Sequence, residues 1–95
     1  LSPTLSAPPL PIGRIGLDTG RSMAEWGQEV GAFTAFTGIY NGTGQPSMSL
    51  PLAMSQEGLP IGIMATGRYG EEGLLLRLAG QIERAAPWSS RRAPV

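Results

Sequence analysis

Proline and glycine set the strongest limit on this fold: 9 Pro and 14 Gly are spread through 95 residues, so every regular element must be short. Pro3, Pro8, Pro9 and Pro11, followed by Gly13, open the chain. Each proline fixes φ near −65° and removes a backbone donor, which excludes helix here and leaves extended chain. Leu1 to Leu5 read as the tail of a strand, followed by a polyproline-like excursion over the surface. Pro8-Pro9-Leu10-Pro11 also contains the PxxP spacing of an SH3-type ligand, but the nearest basic residue is the distant Arg14. With 41% hydrophobic residues there is still material for one core, so the chain reads as a single, folded, turn-rich unit.

Residue types narrow the chemistry further. Seven arginines balance seven acids, leaving no net charge to steer nucleic acid or an anionic membrane surface. Apolar stretches stop well short of the roughly 20 residues of a membrane span, and no secretory signal opens the chain. We expect neither a nucleic-acid partner nor a membrane partner. There is no Cys, His or Lys, which removes thiol nucleophiles, disulfides, zinc–thiolate and imidazole sites, and the usual bases for a serine nucleophile. Arginine stays protonated, so Asp18 and six glutamates are the bases left. No metal or cofactor is implied, and a cysteine-free chain is compatible with a cytoplasmic setting.

From Ser22 the pattern turns helical. Ser22 and Glu25 have capping-box spacing, and Met23, Trp26, Val30 and Phe33 recur on one face. A helix is expected within 22–40, in two short pieces because Gly27, Gly31 and Gly38 each cost about 1 kcal/mol, with Thr34 as a second cap. Trp26, Phe33, Phe36 and Tyr40 read as core packing rather than a ligand-stacking surface. Asn41-Gly42-Thr43-Gly44-Gln45-Pro46 stops the helix; its two glycines could cradle a phosphate, but no P-loop lysine follows. Two strands come next, Ser47 to Leu52 and Ile61 to Thr66, joined by a turn-forming 55–60 loop into an antiparallel pair. Pro51 must lie at an edge, at a bulge or past the paired region, and Gly62 marks a close approach. The last helix starts at Glu71 and Glu72, where its dipole favours anions, and presents Leu74, Leu75, Leu78, Ile82 and Ala85 or Ala86. Arg77, Gln81 and Arg84 face solvent. Adjacent glutamates do not face each other on a helix, so a capping role is preferred to an acid/base or metal pair. Pro87 ends the helix, and residues 88–95 form a tail in which Trp88 packs back.

These pieces, taken in order, resemble the C-terminal end of an amidase-signature enzyme. The resemblance rests on Ser2-Pro3-Thr4-Leu5 with its prolines and Ile12-Gly13, Phe33-Thr34-Ala35-Phe36, and the run from Asn41 to Leu52. It continues through Gly58-Leu59-Pro60-Ile61-Gly62, Gly67-Arg68, Glu71-Glu72, Leu74 to Ala79, Glu83 and Pro87-Trp88, and is weakest from Asp18 to Glu29. It implies an α/β fold, a mixed sheet flanked by helices, with residues 1–95 as one C-terminal segment that supplies late strands and the final helix. It further implies hydrolysis of carbon–nitrogen amide bonds by a serine, a second serine in a cis peptide and a neutral lysine, all upstream of this sequence. No residue here is then catalytic, cofactor-binding or metal-binding, and Ser47 and Ser49 are structural. The implied partners are the upstream part of the same enzyme, or self-association through apolar surface, and a small-molecule amide. Glutamine amidotransferases of the family carry an Asp seven residues before the loop Asn; here that position is Thr34, which points to a general amidase. The competing expectation is a self-standing α/β interaction or structural module without enzymatic activity.

Overall fold

The structure, a computed structural model, describes residues 1–16, 18 and 20–92. The expected tail residues 93–95 lie outside them. The elements run β1 (Ser2–Pro3), α1 (Met23–Phe33), α2 (Gly38–Thr43), β2 (Ser47–Met54), β3 (Pro60–Thr66) and α3 (Glu72–Ala85). The strands form one antiparallel sheet in the order β1-β3-β2. β2 and β3 are the expected hairpin, closed by Ser55, whose backbone N–H donates to the Leu59 carbonyl at 2.8 Å, with Gly58 at φ 78° in the turn. β1 joins by placing Ser2 opposite Met64 and Pro3 opposite Ile63, a pairing across some 60 residues that local pattern could not reveal.

Opposed residues of an antiparallel pair share a face. One face therefore carries Met48 with Ala65 and Leu50 with Ile63; the other carries Ser47 with Thr66 and Ser49 with Met64, with Gly62 two residues before Met64. The ladder shifts register between Leu50 and Ala53, where Pro51 and Leu52 stand against the single residue Gly62. This is a β-bulge, and it accommodates a proline that cannot donate to the ladder. α3 packs against β2 and sinks Leu75, which joins Leu50, Met64 and Ala65 as the buried apolar residues. Leu78, Ala79 and Ile82 are half-buried behind it, whereas Leu74, Ala85 and Ala86 are exposed. The expected apolar face of α3 was therefore too wide at both ends, because the helix packs chiefly on β2.

α1 begins as its sequence requires. Ser22 Oγ accepts from the Glu25 backbone N–H, and Glu25 Oε2 accepts in return from the Ser22 backbone N–H at 2.9 Å. The hydrogen bonds from the Ser22 hydroxyl and backbone, with Arg21 nearby, hold the Glu25 carboxyl below its ordinary pKa. A depressed carboxylate stabilises the fold above its unfolded pKa and loses that contribution as pH falls through the lowered folded value. Amide exchange of residues 23–26, taken relative to an unstructured peptide at the same pH, should consequently accelerate in acid. Ser22→Ala should accelerate it at neutral pH, by an amount corresponding to about 1 kcal/mol; unchanged exchange would show that the cap contributes nothing.

Several boundaries differ from expectation: β2 runs past Leu52 to Met54, β3 starts at Pro60, and two helix ends shift. Thr34 closes α1 instead of opening α2: its Oγ1 donates to the Val30 carbonyl at 2.8 Å, and Thr37 stands at the start of α2 without a side-chain cap. α2 also runs through Asn41 to Thr43 and stops at Gly44, whose φ of 68° is the left-handed conformation a C-terminal glycine supplies. The aromatic residues are less enclosed than core packing required: Trp26, Phe33 and Tyr40 are half-buried, Phe36 is exposed, and Met23 is 71% exposed. α1 lies against the proline-rich segment rather than the sheet. Ser6 Oγ donates to the Ala32 carbonyl at 2.8 Å, and Trp26 Nε1 donates to the Ile15 carbonyl at 3.4 Å.

Candidate functional site

Two hollows adjoin on the hydroxyl-bearing side of the sheet. A groove of about 530 Å³ runs between the extended segment Pro3 to Pro9 and the residues Pro51, Pro60 and Ile61. A smaller pocket of about 320 Å³ is lined by Thr37, Tyr40, Asn41, Gln45, Ser47 and Met64, among others. Thr4 and Ser49 line both hollows. Their hydroxyls share a hydrogen bond of 2.5 Å, and the Thr4 backbone N–H donates to the Gly62 carbonyl at 3.0 Å. Gly62 has no side chain because there is no room for one: a Cβ there would sit 2.5 Å from Ser49 Oγ and 2.7 Å from Thr4 Oγ1. The close approach expected at Gly62 is therefore made by two hydroxyl side chains, one from each neighbouring segment. Sequence reasoning identified the glycine and missed Thr4, whose partner lies 45 residues away.

Neither serine of β2 is set up for nucleophilic attack. Ser47 Oγ and Thr66 Oγ1 form a cross-strand pair at 2.9 Å, and Ser49 is engaged with Thr4. A threonine hydroxyl does not take up a proton at neutral pH, so neither contact activates the serine. A serine–carboxylate contact does occur at Ser22 and Glu25, 2.7 Å apart, but the same bonds that cap α1 lower the Glu25 pKa and so weaken it as a base. Glu29 is held between Arg14, at 3.2 Å, and Arg21. Asp18 is exposed. Glu71 stands at the start of α3 without a side-chain cap bond, 4.0 Å from Arg68. The capping role expected of the glutamate pair is thus reduced to proximity to the helix dipole. Among the described residues, no group of three or more His, Cys, Asp or Glu could hold a metal.

The glycines of the Asn41–Pro46 loop do not form an anion cradle. They end α2, so that helix presents its carbonyl terminus there, and the Gly44 N–H is taken by the Tyr40 carbonyl at 3.0 Å. Gln45 Nε2 donates to the Gly67 carbonyl at 3.1 Å, tying the loop to the exit of β3. Trp88 is half-buried, and the tail behind it is pinned by Arg91, which donates to the Pro51 carbonyl at 2.8 Å. No helix among the described residues is long and apolar enough to cross a membrane.

Comparison with known proteins agrees with the ordered motifs. The chain is 52% identical over 58 residues to a 6-aminohexanoate-cyclic-dimer hydrolase of Pseudomonas sp. (strain NK87), covering 61% of this chain and 12% of that protein. It is 42% identical over 76 residues to the putative amidase AmiC of Mycobacterium leprae (strain TN), covering 80% of this chain and 16% of the relative. A solved structure of 6-aminohexanoate cyclic dimer hydrolase complexed with substrate superposes with a TM-score of 0.83 at 39% identity, over 95% of this chain and 20% of that one. The chain thus spans between about an eighth and a fifth of the length of these relatives. The Amidase family model matches residues 1–76, and on that match, with the fold and relatives just described, the chain belongs to the amidase family.

Proposed function

We propose that residues 1–95 are one C-terminal segment of an amidase, contributing late strands and the final helix to an enzyme whose catalytic serines and lysine lie upstream. The observation that carries this reading is the amount of surface the chain leaves uncovered. Its accessible area is 6983 Å² for 10.0 kDa, against about 5,200 Å² for a folded monomer of that mass. Its radius of gyration is 15.7 Å, where about 12 Å is usual for this length. Ile12, Met23, Ile39 and Leu76 are each more than half exposed. The excess of roughly 1,700 Å² is about twice the ~800 Å² that one partner contributes to a standard protein interface.

On this reading the whole enzyme hydrolyses a small neutral amide, in keeping with Thr34 where amidotransferases carry Asp and with relatives named as cyclic-dimer hydrolases. A cytoplasmic setting is compatible with the cysteine-free sequence. The alternative of a self-standing interaction module draws no support from the hydrolases and amidases that the chain matches. The isolated chain is expected to bind a hydrophobic dye and to scatter light through self-association. A compact monomer with a cooperative melt would reject the segment reading.

A further inference from the structure

We propose that the proline-rich segment from Ala7 to Gly13 is a stiff strap beside an apolar hollow, fixed at one end and releasable at the other, with Glu29 as its clasp. The fixed end is Ser6. Its backbone N–H donates to the Phe33 carbonyl at 3.1 Å and its Oγ to the Ala32 carbonyl at 2.8 Å, just after β1 has joined the sheet. The far end is held by charge. Arg14 Nη2 lies 3.2 Å from Glu29 Oε1, and Arg21 pairs with Glu29 Oε2 while its own Nη2 donates to the Arg14 carbonyl at 2.7 Å. One carboxylate therefore gathers both arginines at the Arg14 end, and Trp26 adds only its 3.4 Å bond to the Ile15 carbonyl.

Between these ends the segment resists crumpling. Pro8, Pro9 and Pro11 hold φ near −65° and make it a semi-rigid spacer. The turn that follows, closed by the Arg14 N–H to the Pro11 carbonyl at 3.1 Å, has Gly13 at φ 85° beside the clasp. Residues 7–14 are all exposed, so burial does little to hold them. A hollow of about 460 Å³ lies between the strap and α1, lined by Leu5, Pro9, Leu10, Ile15 and Phe33 among others. Leu5 and Pro9 also line the larger groove, so the strap is a wall common to both. A stiff arm released at one end swings as a unit, and that swing would join hollow and groove into one apolar cleft. The two ends answer differently to the medium: the Ser6 bonds to backbone carbonyls are uncharged, whereas ion pairs of partly exposed side chains weaken in salt.

The test is made in the complete amidase, cleared of other reactive cysteines, with spin labels carried by Ile12→Cys on the strap and Gln28→Cys on α1, both exposed positions. The distance distribution between the labels reads the fraction of molecules in which the strap has swung away. Glu29→Ala removes both ion pairs and should raise that fraction about fivefold, while Arg14→Ala removes one pair and should raise it about twofold. Added salt should raise it in the otherwise unaltered enzyme. Glu71→Gln, which removes a carboxylate at the start of α3, should leave the distribution as it was. The Arg14 side chain is 58% exposed, so its truncation tests the clasp without endangering the fold. A distribution that Glu29→Ala, Arg14→Ala and salt all leave unchanged would overturn the proposal. So would a shift with Glu71→Gln as large as with Glu29→Ala, because the effect would then belong to charge in general and not to the clasp.

Discussion

Purified residues 1–95 should not hydrolyse an anilide or ester substrate, and hydrolysis should appear when the upstream part is supplied. Acyl transfer needs a nucleophile whose proton has somewhere to go. Ser47 and Ser49 give theirs to, or share them with, threonine hydroxyls; Ser22 faces a carboxylate made less basic by its own capping bonds; Glu29 is neutralised by two arginines. Loss of a nucleophile or its base typically costs on the order of 10⁶ in rate, so the isolated chain should fall below detection. In the assembled enzyme Ser47→Ala and Ser49→Ala should each leave most of the rate, whereas substituting the upstream serine or lysine should abolish it. Turnover by residues 1–95 alone, lost on changing either β2 serine, would place the catalytic machinery here.

The second large effect is expected at Gly62. In Gly62→Val the new Cβ would meet Ser49 Oγ at 2.5 Å, Thr4 Oγ1 at 2.7 Å and Thr4 Cβ at 3.3 Å. Ser49 can turn away, but Thr4 is β-branched and its backbone is tied to the Gly62 carbonyl, so the extended segment itself must move. Overpacking together with loss of the β1 pairing should cost about 3 kcal/mol or more. Glu71→Gln, which removes one weak surface contact to Arg68 and one charge near a helix start, should cost no more than about 1 kcal/mol. Thermal melts of both variants in the complete amidase decide the matter, and comparable losses would mean that Gly62 is not a packing position.

Gly62 was legible in the sequence because a glycine weakens a strand interior unless a bulge or a close neighbour requires it. Its neighbours were not legible, because they are distant in the chain. The same division holds elsewhere. The Ser22–Glu25 cap and the 55–59 turn depend on residues close in sequence, and each formed as the pattern required, whereas the pattern left Pro51 an edge, a bulge or a place past the paired region, and the structure puts it in a bulge. Met23, Phe36, Ala85 and Ala86 have helical spacing or apolar character, yet their exposure depends on which surfaces lie opposite, and nothing among the described residues is packed there closely enough to bury them. Thr34 and Thr37 are three residues apart and chemically identical, so the choice of which ends one helix and which starts the next fell to backbone geometry. The pairing of Ser47 and Ser49 was hidden for a related reason: alternation shows that serines point one way, but not that each has a threonine waiting for it.

The bulge opposite Gly62 bears on how sequences of this kind should be aligned. Pro51 and Leu52 together oppose one residue, while Leu50 still faces Ile63 and Ala53 still faces Ile61. A homologue could lack one residue at this place and keep every other side chain of β2 on its present side. A one-residue gap anywhere else in the strand would turn Ser47 and Ser49, or Met48 and Leu50, to the opposite side. Where length differences fall within this strand, the physically permitted place for the gap is therefore the Pro51–Leu52 pair, whatever the identity score of neighbouring placements.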